Sequence, residues 1–211
     1  LAASAWYTFG STLLQLGRSA EAASALERVV RDHPGSPHRP YAMLTLATLK
    51  VADPSSDKTR AMELFQIVAT NPATPRMGAE AWFQLADLQF RLKVYAKSAE
   101  AYTQLCRLYP ADLRAVEAQL PRAWAEFYAG MPADAVRHAD EALAAAATSL
   151  GGAREEWLYL KANGQRQLLK YVEAAATYAV LLAEFPQGRL ASAAGYENAL
   201  SLFKAGKFLE A

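Results

Sequence analysis

The sequence predicts an all-α, right-handed solenoid of helical hairpins, five complete and a sixth truncated. Three observations carry that prediction. A residue pattern recurs at a nearly fixed period along the chain. Within each period the apolar residues fall at helical spacing, and no alternating strand pattern appears. Of the 211 residues, 46 are alanine, which favours closely packed helices.

The recurrence comes first, because a repeat decides the architecture. Trp6–Gly17, Trp82–Lys93 and Leu158–Leu169 align. Each is followed by a second helical stretch closed by a proline, at Pro34, Pro110 and Pro186, always 28 residues after the opening position. Weaker copies open at Met43, Gln119 and Gly195, so the successive intervals are 37, 39, 37, 39 and 37 residues. The expected repeats span about 3–34, 40–72, 79–110, 116–147, 155–186 and 192–211.

Each element has a local reason. In the first unit Trp6, Phe9, Gly10 and Leu13 share one face of helix A. Gly17 ends that helix, since glycine readily takes the left-handed C-cap. Ala22, Leu26, Val29 and Val30 form the stripe of helix B, and Pro34 stops it by lacking an N–H. The second unit, opening at Met43, has one extra residue in its inner turn, 53–57, and ends at Pro72. The fourth has no closing proline and runs through Ala144–Ala147 into Gly151 and Gly152. Residues 148–152 form either a bend between units or an ordinary helix cap and loop. A small residue recurs within helix A (Gly10, Ala47, Ala86, Ala123, Ala162, Ala199). Another opens the stripe of helix B (Ala22, Ser98, Ala135, Ala174, Ala211), except that the second unit has Arg60. Small residues at both places let helices A and B approach closely. A lone hairpin cannot bury its apolar face, so neighbours stack and share one core.

The Trp, Leu and Gly of helix A and the Ala, aromatic, Ala and Pro of helix B resemble the tetratricopeptide repeat family over nearly the whole chain. That family's period is 34. The surplus here lies after each proline, in 34–42, 72–81 and 186–194. This Pro-x-small-x-x-x-x-Ala linker resembles bacterial cell-envelope members, such as the outer-membrane β-barrel assembly lipoprotein and the Tol–Pal periplasmic coordinator. The resemblance implies a periplasmic or outer-membrane-associated location in preference to a cytoplasmic one. The chain opens at Leu1 without an initiator methionine and stops just after a helix begins. A segment of a longer protein is therefore expected.

Composition excludes several function classes. Fifty-three per cent hydrophobic residues exclude a disordered chain. With 22 basic and 21 acidic side chains, net charge +1, nucleic acid is not an expected partner. Apolar runs such as Ala174–Ala183 are too short to cross a bilayer. One cysteine makes no internal disulfide.

No constellation points to catalysis, a cofactor or a metal. His33 and His38 flank prolines in a linker, which fixes no two-ligand geometry. His138 reads as a surface helix pair with Asp134, four residues earlier. Asp53 and Asp57 bracket a turn that lacks the acids, glycine and glutamate of a calcium loop, and read as turn and capping groups. Cys106 has no base nearby in its repeat and reads as a small core residue. Glu155 and Glu156 suit the dipole at a helix N-terminus. The chain is not expected to be an enzyme.

Ligands of the tetratricopeptide family commonly lie along helices A, which line the concave side. By that resemblance the facing positions are Tyr7 in the first unit and Phe83, Asp87, Phe90 and Arg91 in the third. They are Trp124, Phe127 and Tyr128 in the fourth, Tyr159, Asn163 and Arg166 in the fifth, and Tyr196, Leu200, Phe203 and Lys204 in the sixth. The Lys/Asn pattern that clamps a C-terminal carboxylate is absent, because Tyr7 and Ser11 stand where it is needed. The face is aromatic instead, which suits a protein or peptide partner. The expected function is a non-enzymatic adaptor binding a partner segment in this groove, within a bacterial envelope assembly. Two other readings stay open. The chain is a structural spacer or oligomerisation segment with its aromatics in the core, or an accessory domain of an enzyme or export system whose active part lies elsewhere. End-to-end self-association through the truncated sixth unit is also expected.

Overall fold

The computed structural model describes residues 2–145 and 153–209. The bend considered at 148–152 and the small residue Ala211 lie outside the described residues. Twelve helices and no strand occur among those described. They are α1 (Ala3–Gln15), α2 (Ser19–Asp32), α3 (Arg39–Ala52), α4 (Lys58–Ala69), α5 (Pro75–Arg91) and α6 (Tyr95–Leu108). Then come α7 (Leu113–Glu117), α8 (Gln119–Tyr128), α9 (Pro132–Ala145), α10 (Ala153–Gln167), α11 (Tyr171–Glu184) and α12 (Ala191–Lys204). Within α1–α5 and within α8–α12 each helix packs chiefly on its neighbours in sequence, the pattern of a helical-repeat solenoid.

The chain divides into two compact units. The first comprises Leu1–Lys93 with Glu100–Val116, and the second Val94–Ala99 with Glu117–Ala211. In the first, Leu13, Ala22 and Ala25 form a buried cluster under Trp6, Leu14 and Leu49. In the second, Ala123, Ala139, Trp157 and Leu160 form one cluster, and Leu158, Ala162, Ala174, Tyr178, Leu181 and Ala194 another.

The small positions close the hairpins. Ala47, Ala86, Ala123 and Ala162 are fully buried in helices A, as are Ala22, Ser98, Ala135 and Ala174 in helices B. A Cβ on Gly10 would lie 3.0 Å from Leu26 Cγ, which measures how tightly α1 and α2 meet. The expectation that Arg60 breaks the small-residue pattern is corrected. Ala61, Leu64, Phe65, Val68 and Ala69 of α4 are buried with the spacing of Ala22, Ala25, Leu26, Val29 and Val30 in α2. The longer inner turn therefore puts Ala61 at the small position, with Arg60 beside it only partly covered. Its guanidinium turns outward to Glu63 at 3.1 Å and Glu27 at 3.3 Å.

Helix ends follow one rule at one repeat position. Gly17, Lys93, Gly130, Leu169 and Gly206 all stand eleven residues after the unit's opening position, and all have positive φ, between 61° and 78°. Each C-cap is closed by backbone bonds, such as Arg18 N to Leu13 O (2.9 Å) and Lys170 N to Gln165 O (2.9 Å). Lys93 and Leu169 adopt this conformation without being glycine, at a cost of about 1–2 kcal/mol each. The second unit departs at this place because its inner turn is longer. There Asp53 accepts bonds from Ser55 N and Oγ, and Asp57 caps α4 through Thr59 N at 2.8 Å. Those bonds hold both carboxyls below the usual carboxylate range.

Helix A of the fourth repeat is not continuous. It is split into α7 and α8, which meet at Ala118. Pro121 is the physical reason. It has no N–H for the carbonyl of Glu117, and its ring crowds the preceding turn.

Candidate partner-binding face

The face expected to bind is built from helices A, and its chemistry differs along the chain. In the first unit, Tyr7 of α1 stacks on His38 at 5.2 Å with the rings 17° apart, and Tyr41 of α3 stands edge-on at 6.4 Å. Phe83 of α5 meets the buried Tyr102 of α6 edge-on at 6.0 Å. Burial pushes the Tyr102 hydroxyl well above its ordinary pKa, and the nearby Asp87 charge adds to this. Asp87 and Arg91 pair with each other at 3.2 Å, one helical turn apart. Phe90 is partly covered.

In the second unit the rings form a continuous row. Tyr95 stacks on Tyr128 at 5.0 Å, and Tyr128 on Trp124 at 5.6 Å. Trp124 reaches Tyr159 at 6.4 Å, and Tyr159 meets Tyr178 at 6.1 Å. Phe127 closes the side of the row, 5.7 Å from Trp124 and 5.3 Å from Tyr128. Trp124 and Phe127 rest on the core cluster around Trp157 and Leu160 and keep part of their surface open. Tyr128 is 50% exposed, and burial of the remainder raises its hydroxyl pKa. On α12, at the same face by repeat position, Tyr196 and Phe203 are 70% and 56% exposed.

Asn163 and Arg166, placed on this face, have partners within the protein. Asn163 is buried and its amide donates to Tyr159 O at 2.8 Å, one turn back. Arg166 pairs with Glu197 of α12 at 3.1 Å. Beside them the buried Tyr178 hydroxyl is raised by desolvation, which outweighs the opposing effect of Arg166.

The structure therefore gathers Trp124, Phe127, Tyr128 and Tyr159 into one cluster, with Arg166 and Asn163 at its flank. Tyr7, Phe83, Asp87, Phe90 and Arg91 belong to the first unit. Sequence reasoning missed Tyr95 and Tyr178, because both lie on helices B. A signal existed for the first: tyrosine opens both α6 and α11, as Tyr95 and Tyr171.

Three readings of other residues need correction. His138 does not pair with Asp134. Its Nδ1 lies 2.6 Å from Glu126 Oε2, both side chains nearly buried, while Asp134 pairs with Arg137. The cause is helical phase, since position 138 shares the inward face of α9 with Ala135 and Ala139. Arg122, one turn before Glu126 on α8, completes this polar cluster at 3.6 Å. Cys106 is only partly buried, with Sγ 3.5 Å from Ala115 O. Glu155 and Glu156 do more than face their own helix dipole. Glu155 accepts from Leu190 N at 2.7 Å, at the start of α12, and Glu156 pairs with Arg189.

Among the described residues no group of three His, Cys, Asp or Glu is placed to hold a metal ion. None of the described helices is long and apolar enough to cross a membrane. What the arrangement offers is contact surface: aromatic rings packed on one another, beside the paired Arg166 and Glu197.

Comparison with known proteins agrees with this architecture. Two family models, both described as tetratricopeptide repeat, match residues 7–67 and 80–112. No curated protein matches the chain. Among solved structures it is similar to a tetratricopeptide repeat protein from Parabacteroides merdae, at 16% identity and TM-score 0.67, over 97% of this chain and 74% of that one. It is similar to the MamA protein at 14% identity and TM-score 0.65, over 88% and 92% of the two chains. It is also similar to Pseudomonas aeruginosa pilF at 15% identity and TM-score 0.52, over 99% and 95%. At these identities the likeness is one of fold.

Proposed function

From the tetratricopeptide repeats that this chain carries, we propose that it is a non-enzymatic scaffold that receives a segment of a partner protein on the A-helix face of its second unit. Proteins of this repeat fold are generally protein-interaction scaffolds. The observation that carries the reading is the set of aromatic rings left open on two A helices of this unit: Tyr128 on α8, and Tyr196 and Phe203 on α12. Such rings bury much area for little lost entropy, which is how interface anchors work. A core role for all of them would require burial, and these three are half exposed or more.

Affinity capture from the native organism's lysate tests the reading. The wild type is compared with a Tyr128→Ser, Tyr196→Ser variant, whose fold is checked by circular dichroism. A protein retained by the wild type and lost by the variant is the expected result. Equal retention would move binding to the B helices or the ends.

The bacterial envelope location is the finer part of the same proposal, and the proline-containing linkers after α2, α4 and α11 support it. Fractionation of the native cells checks it, and recovery in the cytosol alone would contradict it. Self-association through α12 is supported by its open Tyr196 and Phe203 and by Phe208, 5.4 Å from Phe203. A mass by sedimentation that rises with concentration is the expected sign.

A further inference from the structure

We propose that the first unit carries a separate binding site, between α2 and α3, for a small molecule bearing a phosphate monoester. The site shares no residue with the aromatic face of the second unit, and its test is independent of the reading given above.

The place is a cavity of about 410 Å³. Ala23, Glu27, Arg28 and Arg31 of α2 line it together with Leu46 and Lys50 of α3. Its volume lies within the range of small-ligand sites, about 300–1,000 Å³. Ala23 and the buried Leu46 give it an apolar wall. Its charged lining is three cations and one carboxylate.

These charges select the ligand. Glu27 is matched by Arg60 at 3.3 Å. Arg31 is matched by Asp32, through bonds of 2.7 and 3.0 Å. Arg28 and Lys50 form no ion pair among the described residues. The charge of Arg28 is felt at Asp32, and that of Lys50 at Asp53 and Asp57. Each of those carboxylates is held by a nearer donor, from Arg31, Ser55 or Thr59. Two positive charges at one cavity are therefore left for a ligand. A phosphate monoester carries a charge of about −1.5 to −2 at neutral pH and three acceptor oxygens, so it answers both. A carboxylate or a sulfate ester answers only one.

Arg28 is also positioned in advance. Its guanidinium carbon lies over the Trp6 ring, 4.4 Å from the centroid. A guanidinium stacked on an aromatic face keeps its in-plane N–H donors available, and that planar fork fits phosphate oxygens. Lys50 comes from the other helix as a compact point charge. A phosphate ion alone would occupy a small part of this volume. The group is therefore expected on a molecule whose apolar body rests against Leu46 and Ala23.

Calorimetry of the full chain at about pH 8 tests the inference, since the monoester is then fully dianionic. The probe is phenyl phosphate, and phenyl sulfate, its monoanionic isostere, is the comparison. Phenyl phosphate is expected to bind at least about tenfold more tightly than the sulfate. Arg28→Gln and Lys50→Gln should each weaken it about fivefold or more. Arg107→Gln, at an exposed position outside the cavity, should change it less than about twofold. Lys50 holds the fold through its main-chain carbonyl, which accepts from Lys58 at 2.8 Å, so Lys50→Gln reads the site without disturbing that bond. Acetylated, amidated phosphoserine carries the same group on a peptide backbone without an apolar body, and should bind more weakly than phenyl phosphate. Equal binding of phosphate and sulfate, or no binding of phenyl phosphate at about 10 mM, would overturn the inference. Binding indifferent to Lys50→Gln would overturn it too, as would tighter binding of the blocked phosphoserine, which would assign the group to a protein side chain.

Discussion

The two compact units are made of the same hairpin but spend their aromatic side chains differently. In the first, Phe83 leans on buried Tyr102, Tyr7 stacks on His38, and Asp87 and Arg91 neutralise each other. In the second, the rings run from Tyr95 through Trp124 to Tyr178, and α12 continues with open Tyr196 and Phe203. The buried small residues are alike in both. The repeat therefore fixes how helices A and B close on each other, while the outward positions of helix A are free to differ from unit to unit.

The largest expected effects test whether the core beneath that face supports it. Leu160→Ala in the second unit and Leu64→Ala in the first both delete fully buried side chains, and each should cost about 2–5 kcal/mol by urea denaturation. Only Leu160→Ala, which removes the floor under Trp124 and Phe127, should also weaken partner capture by protein that is still folded. Equal loss of capture in both variants would erase the distinction between the units.

Next in size is the contrast between a buried hydrogen-bonded contact and an exposed ion pair. His138→Ala leaves the Glu126 carboxylate nearly buried with Arg122 at 3.6 Å as its remaining partner. A loss of about 1–3 kcal/mol is expected, because a nearly buried carboxylate oxygen loses its hydrogen-bond partner. Arg60→Ala in the first unit breaks pairs that are well exposed, and should cost less than about 1 kcal/mol. Chemical denaturation of the two variants compares them directly.

The shared C-cap gives a smaller effect with opposite signs. Lys93→Gly and Leu169→Gly should each stabilise by about 1 kcal/mol, by relieving a left-handed backbone. Gly17→Ala should destabilise by a similar amount of about 1 kcal/mol. Thermal unfolding reads all three.

The smallest effect is electrostatic. The hydrogen bond from Arg154 holds the Glu184 carboxyl below the usual carboxylate range. A depressed folded-state value means the stabilisation is present above the unfolded value of about 4.3 and is lost as pH falls through the folded one. The pair is partly solvated, so its worth is below about 1 kcal/mol. Arg154→Met should flatten that acid limb of a stability–pH curve and leave neutral pH nearly unchanged.

Much of the fold was legible because repetition amplifies weak signals. Six small residues at one position say more than any single Ala123. The helix A cap was legible at Gly17 and hidden at Lys93 and Leu169, where tertiary closure imposes a conformation that residue type does not announce. The break between α7 and α8 was written in Pro121, but the repeat pattern masked it. Of the candidate site, Trp124, Phe127, Tyr128 and Tyr159 were legible as a facing set. Tyr95 and Tyr178 were not, since they reach the row from helices B, and a pattern within helix A carries no information about its partner helix. The Glu126–His138 contact was missed for a related reason. Spacing along α9 put Asp134 in reach, but burial of that face chose Glu126 from α8.

The most direct test of the central claim is photo-crosslinking in the native cells. A benzoylphenylalanine is placed at Tyr128 or at Tyr196, and at Ala23 on the B-helix side as the comparison. The account predicts a discrete adduct with one partner protein from positions 128 and 196 and none from 23. Adducts from position 23 alone, with none from 128 or 196, would contradict it.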